Sequence, residues 1–349
     1  MNSISQDRAV VRRLRRGVVA ASHIASLSVG LERQTVEIQK QLRLLRSGSA
    51  QACFIEGEWG TGKSHLLTLI GQLSINEGTG VAYLNLNGQN AAINHPQRFY
   101  HLIAARVKIA QSASGMSELI QHIYNNQLLR AKLVQWAMIN DRTSELAWAI
   151  RHLVSGKTVD DSGAFSIVVG SDLSWADYGY KKEKAIKRIA DLGHCLWYCG
   201  LSGLVLELDE LETLDQLWNS RSRKGAYEVL GRLIQMKHVL PVFAVTARFR
   251  VLVDQDFVSV PDLGASALEF MNGWRRLQYT LLRSSDFSEE SALTLAGRVD
   301  NLYSQAYGTG TRRGTLPQVV SDWSRMPTRS PRTLVRRVIH HLDVARNGI

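Results

Sequence analysis

The eight residues Gly57-Glu58-Trp59-Gly60-Thr61-Gly62-Lys63-Ser64 constrain the fold more than any other stretch of the chain. They match the phosphate-binding pattern G-x-x-x-x-G-K-[ST], whose glycines let backbone N–H groups turn inward around an anion. The pattern works only where a strand runs into it and a helix leaves it. Both are predicted: residues 51–56 (QACFIE) are short and apolar, and residues 64–75 have helical spacing. The helix then directs its partial positive charge at the same anion. Lys63 is placed to reach the β- and γ-phosphates of ATP, and Ser64 to offer a hydroxyl to Mg²⁺, whose octahedral shell is completed by water and phosphate oxygens. The nucleotide-binding candidates are therefore these eight residues together with His65.

Further strands are expected at residues 81–86 (VAYLNL), 204–208, 239–246 and 277–281, with a short one at 165–169. Between them the spacing is helical at residues 96–153, 181–198 and 227–237. Strands that read as near-continuous apolar runs and alternate with helices imply a parallel sheet covered on both faces. The predicted class is thus α/β, a P-loop NTPase of AAA+/ASCE-like type. Before it lie an arginine-rich amphipathic helix at 5–17, with Val10, Val11, Leu14 and Val18 as its apolar positions, and a second helix from residue 32 with Val36, Ile38, Leu42 and Leu45. After it come helices at 289–307, 316–324 and 332–345. The expected organisation is an N-terminal helical segment, 1–48, an ATPase core, 49–283, with a helical insertion at about 96–180, and a C-terminal helical lid, 284–349.

Residues 204–210 (LVLELDE) form a buried-strand pattern ending in two carboxylates, where ligands sit in open α/β sheets. Alone, the pair reads as a solvated strand end. Coupled to the phosphate loop, it predicts a catalytic site between Lys63 and Asp209, with Asp209 binding Mg²⁺ through water and Glu210 orienting or deprotonating the attacking water. Thr246, at the end of the strand PVFAV, is a candidate for the γ-phosphate or that water. Arg332, in Ser330-Pro331-Arg332 before an apolar-periodic helix, is a candidate lid arginine. Weaker candidates are Arg275 and Arg276 as arginine fingers and Asn87 as a restraint on Glu210. Cys195 and Cys199 lie one turn apart beside His194, without the second ligand pair of a zinc site.

Forty-two Lys and Arg against 31 Asp and Glu leave +11, enough to attract a polyanion such as nucleic acid or an acidic partner. The basic residues concentrate at 8–16, 181–188, 221–224 and 329–337. For each cluster a solvated helix face is the ordinary reading, and DNA contact is the sharper one. No run approaches the roughly 18 to 20 apolar residues of a membrane span. Three cysteines and no leader-like start favour a reducing cytoplasm.

The segments VGLER (29–33), FIEGEWGTGKSHLL at the loop, LVLELDELE at the acidic strand and SPRTLVRRVI near the end resemble the ATP-binding proteins of prokaryotic BREX-type phage-defence systems, within the AAA+-like P-loop ATPases. The likeness covers most of the chain. Trp59 within the loop, the DELE run and the arginine-rich helix ending in Gly17 carry it more than the loop pattern does. The resemblance implies an AAA+-like sheet with a helical lid, ATP and Mg²⁺ as ligands, other defence proteins as partners, and Val29 and Gly30 near the adenine. The family often has arginine after that glycine, where this chain has Leu31. Three activities follow as expectations: an ATPase acting as motor or switch in an anti-phage complex on DNA, an ATP-dependent scaffold with negligible turnover, or a DNA-handling loader or transposition-type regulator. Assembly as a homo-oligomer or hetero-complex is expected with each.

Overall fold

The computed structural model describes residues 3–87, 93–155, 161–172, 178–217, 219–283, 287–308, 315–327 and 329–347. Five strands form one sheet: β1 (Cys53–Glu56), β2 (Gly80–Asn85), β3 (Leu204–Asp209), β4 (Val239–Val245) and β5 (Thr280–Arg283), in the order β2-β3-β4-β1-β5. The sheet is parallel. Gly80 to Asn85 stand opposite Leu204 to Asp209, and Leu204 stands opposite Val239. Parallel neighbours need helical crossovers, and covering both faces removes polar alternation. Accordingly β3 and β4 are buried at every residue. This is the α/β fold of a P-loop NTPase expected from the sequence, with β4 placed between β1 and the acidic strand β3.

The chain divides into two compact units. The larger, Glu37–Ile55 with Leu73–Leu282, holds the sheet. At its centre Phe54 of β1 meets Trp274 at 4.3 Å, Phe243 at 4.8 Å and Tyr279 at 5.3 Å between ring centroids. Trp274 comes from the helix Ala265–Arg275, which with Ala247–Ser259 was not anticipated. The long insertion is helical from Pro96–Arg106 through Gln127–Asn140 to Glu145–Ser155.

Residues 165–169, expected as a strand, lie instead in the helix Asp161–Val169. The β-branched run Ile167-Val168-Val169 favours a strand, but tertiary context overrides so weak a preference. Here the context is Arg188, 2% exposed, which donates to the Ile167 carbonyl at 3.2 Å, to both oxygens of Asp172 at 2.6 and 2.7 Å, and to Glu145 at 2.8 Å. The helix Glu32–Arg46 brings a second correction. Val36 is exposed, and Gln41 takes a buried position, accepting from Gln51 N–H at 2.9 Å and donating to Thr280 Oγ1 at 3.1 Å.

The smaller unit is Met1–Val36, Glu56–Gln72 and Arg283–Ile349. Its helices Ser3–Arg15, Glu289–Tyr307, Leu316–Ser324 and Pro331–Asn347 enclose a separate core that includes Val11, Leu14, Val299, Tyr303, Leu334 and Val338. Gly17 ends the first helix at φ +71°, with Gly17 N–H on the Leu14 carbonyl and Val18 N–H on that of Arg13, a Schellman closure. Val18, just past it, is exposed. Among the described residues no helix is long and apolar enough to cross a membrane.

Phe54 is fully buried and belongs to the strand that leads into the phosphate loop. Phe54→Ala is expected to cost about 3–5 kcal/mol by leaving a cavity in the aromatic cluster, read as a shifted urea midpoint in tryptophan fluorescence. Phe54→Leu should recover more than half of that loss.

Candidate functional site

The phosphate loop belongs to the smaller unit. Gly60 sits at φ +83° and Gly62 at φ +105°, conformations that L side chains resist. These two turns let the chain leave β1 and start the helix Lys63–Asn76 within six residues. Glu58 carbonyl accepts from Thr61 N–H at 3.3 Å and from Thr61 Oγ1 at 2.7 Å, which closes the loop on itself. Lys63 is the first residue of the helix and is 9% exposed; its Nζ donates to the Gly57 carbonyl at 2.7 Å and the Glu58 carbonyl at 3.2 Å. The ammonium is thereby held over the loop. Ser64 and Trp59 are exposed.

A Cβ added at Gly62 would meet no described atom within 4 Å, so this side of the loop faces open space. Loop N–H groups, a helix N-terminus and a lysine ammonium held at the loop are the donors that suit a nucleotide's phosphates. At Gly60 the added Cβ would instead come within 3.2 Å of Ser330 Oγ. The segment Ser330-Pro331-Arg332 therefore lies against the loop at Gly60. Ser330 caps the helix Pro331–Asn347 by accepting from Thr333 N–H at 3.2 Å, and proline suits the first helical position because its missing N–H needs no partner there. The Arg332 side chain lies along Gly17, where a Cβ would sit 2.5 Å from its Cγ. This contact explains the glycine at the end of the arginine-rich helix: the position needs both positive φ and the absence of a side chain.

Val29 and Gly30 are half-buried, Gly30 at φ +71°. Their segment is held from two sides within the same unit. Arg298 of the helix Glu289–Tyr307 donates to the carbonyls of Ser26 at 3.0 Å and Ser28 at 2.8 Å. Ser28 Oγ donates its single proton to the Ile24 carbonyl at 2.7 Å, so it accepts from His65 Nε2–H at 2.8 Å. Burial lowers the His65 pKa to about 4, and the ring is neutral near pH 7. His65 thus links the phosphate loop's helix to the segment expected beside the adenine. His65 is evident from the sequence motif, whereas Ser28 and Arg298 are not, because their roles depend on contacts spanning up to 270 residues.

In the larger unit, Asp209, Glu210 and Thr246 stand at the C-terminal ends of the adjacent strands β3 and β4. Asp209 is 2% exposed; Oδ1 accepts from Glu210 N–H at 3.0 Å and Oδ2 from Tyr83 Oη at 3.0 Å. Burial and the Asp209 charge raise the Tyr83 phenol well above its usual range, which keeps it a donor. A buried carboxylate fixed in this way at a strand end has the chemistry of a magnesium ligand, held directly or through water. Tyr83 was not foreseen, because only the register of β2 on β3 places it there. Glu210 is half-buried and adopts φ +62°, ψ +43°, a left-handed conformation costly for a residue with a side chain. Its carbonyl is held by Thr213 N–H at 3.0 Å and Thr213 Oγ1 at 2.8 Å. Thr246 is buried at the N-cap of the helix Ala247–Ser259, yet its hydroxyl makes no capping bond.

The weaker candidates take ordinary places. Arg275 pairs with Asp254 at 3.0 Å and lies 4.1 Å over the Phe257 ring, and Arg276 is exposed. Asn87 is exposed in a turn, its N–H on the Asn85 side chain at 2.8 Å. Cys195 and Cys199 are buried thiols packed in the larger core.

A sequence model of the family described as BREX system ATP-binding protein BrxC/D matches residues 3–155 and 180–348. Residues 156–179 lie outside the match. No curated protein and no solved structure gives a significant match.

The His65 geometry carries a pH signature. A folded pKa below the unfolded value near 6.5 means the unfolded chain takes up the proton first, so stability falls as pH drops from about 6.5 towards 4. Relative to His65→Gln, which keeps an N–H donor and does not titrate, the wild type should lose up to about 1.4 kcal/mol per pH unit in that window. Paired urea titrations at pH 7, 6 and 5 measure this; parallel curves would contradict the assignment.

Proposed function

The chain belongs to the family of BREX system ATP-binding proteins BrxC/D, and on that premise we propose that it binds Mg-ATP and hydrolyses it as a motor or switch in a multi-protein anti-phage complex on DNA. The observation that carries the reading is the phosphate loop: two left-handed glycines, open space beside Gly62, and Lys63 Nζ held over the loop carbonyls. Residues 57–65 take the triphosphate, and Val29 and Gly30 border the adenine.

Ser64 and Asp209 are the residues that would hold Mg²⁺, which would supply neutralising charge for phosphoryl transfer. Glu210 orients the attacking water and accepts its proton while oxygen bonds to the γ-phosphorus and the bond to the ADP oxygen breaks. Thr246 steadies that water or the γ-phosphate through its uncommitted capping position. Arg332 adds positive charge from a lid formed by residues 284–349, whose Ser330 already touches Gly60. Work within a complex implies assembly as a homo-oligomer or with other defence proteins in the cytoplasm.

Lys63→Ala should abolish Mg-ATP binding in calorimetry. Glu210→Gln should retain binding and lose phosphate release by about 10²–10⁴-fold, the range for a positioned general base. Full defence activity in cells carrying Glu210→Gln would replace turnover with the scaffold reading, in which nucleotide occupancy alone matters. Removing the Asp209 partner in Tyr83→Phe should raise the Mg²⁺ concentration for half-maximal turnover by about 10-fold or more. An unchanged Mg²⁺ dependence would show that the tyrosine is only packing.

A further inference from the structure

The chain's excess positive charge is unevenly shared. The smaller unit counts 17 Lys and Arg against 10 Asp and Glu, giving +7 of the total +11. Two helices that pack together account for this excess: residues 8–16 contain five arginines and residues 332–346 four, against Asp7 and Asp343. These clusters lie more than 300 residues apart in sequence, and each alone reads as a solvated helix face. The fold makes them one surface.

A groove of about 480 Å³ is lined by Arg15 of the first helix, by Thr333, Arg336, Arg337, Ile339, His340 and Asp343 of the last, and by Met326. Its one acid is already neutralised. Both Asp343 oxygens pair with Arg15, at 2.7 and 2.9 Å, and one also accepts from Tyr303 Oη at 2.8 Å. Arg336, Arg337 and Arg12 are exposed, and Arg12 shares a helix face with Arg8 and Arg15 at i, i+4 and i+7 spacing. Like charges so crowded repel one another, and burial offers no compensation for exposed groups.

We propose that this two-helix surface binds the phosphate backbone of duplex DNA. The proposal rests on the reading that the chain acts on DNA, and is independent of ATP turnover. Guanidinium groups suit phosphate oxygens, and a 13-residue helix about 20 Å long covers a length of duplex axis that carries about six phosphates on each strand. A single strand would call for exposed aromatic rings on which bases stack. The ring on this surface, Tyr307, is taken: the guanidinium carbons of Arg346, Arg8 and Arg15 lie 4.2, 5.5 and 5.8 Å from its centroid. Backbone contact without base reading is what remains.

The test is fluorescence anisotropy of the full chain with a labelled 30-bp duplex. About six contacts imply a loss of about 10³ in affinity between 50 and 200 mM salt. The variant Arg12→Gln, Arg336→Gln, Arg337→Gln should bind at least about 10-fold more weakly and flatten the log–log salt slope by about 2.7, at about 0.9 per contact. A charge-matched control, Arg221→Gln, Lys224→Gln, Lys237→Gln in the larger unit, should leave both unchanged. Mg-ATP affinity and the melting temperature of the first variant, unchanged, exclude misfolding. Equal loss in both variants would reduce the effect to net charge and overturn the proposal, as would absence of duplex binding at 50 mM salt or stronger binding to single strands. A chain that binds ATP but no duplex sinks this inference alone; one that binds duplex but releases no phosphate sinks only the hydrolytic reading.

Discussion

A chain that ends a strand, wraps an anion and restarts as a helix within six residues must pass through backbone conformations that side chains resist. Gly60 at φ +83° and Gly62 at φ +105° supply them. Two other parts of the smaller unit meet this stretch. Ser330 approaches Gly60 closely enough that a methyl group would press on it, and the helix after the loop presents His65 to Ser28. In the larger unit, the strand that precedes the loop is held by Phe54 in an aromatic cluster.

A different strain marks the acidic strand. Glu210 holds a left-handed conformation although glycine would adopt it at lower cost, by about 1 kcal/mol or more. Thr213 retains the turn with two hydrogen bonds to the Glu210 carbonyl, and Asp209 accepts the Glu210 N–H. Two or three bonds of about 1 kcal/mol each are enough to offset that strain. The carboxylate is thereby kept at the strand tip, and its neighbour's carboxylate is turned to meet Tyr83.

Much of this was legible in the sequence, for identifiable reasons. The strand ahead of the loop and the acidic strand are continuous apolar runs that only a doubly covered sheet produces, and their boundaries were read to within two residues. The helices at 289–307 and 316–324 carry clean periodicity, and the structure keeps those limits. Residues 165–169 misled because β-branching is a local signal and Arg188 is not local. Val36, expected among the apolar positions, is exposed, while Gln41 is buried, because a buried amide with partners on both its atoms is as acceptable inside as a valine. Tyr83 escaped because a residue's neighbour across a sheet is set by register, which a single sequence does not state.

The same N-terminal segment carries both the residues proposed to meet the adenine and the arginine-rich helix. From Arg15 the chain passes Gly17, packed under Arg332, and reaches Ser28, bonded to His65 and clasped through its carbonyl by Arg298. Each link is a specific contact between side chain and backbone or between two side chains, inside one compact unit. A nucleotide that bears on the loop or on Val29 therefore bears on the position of the first helix through Ser28, and on the last helix through Ser330 and Arg332. These are the two helices that hold most of the chain's excess charge. If a ligand at one place alters the geometry at the other, linkage requires the reverse coupling with the same free energy. The phosphate recognition proposed at the loop and the polyanion binding proposed on the helices would thus share a mechanical frame of a few short contacts rather than a long relay.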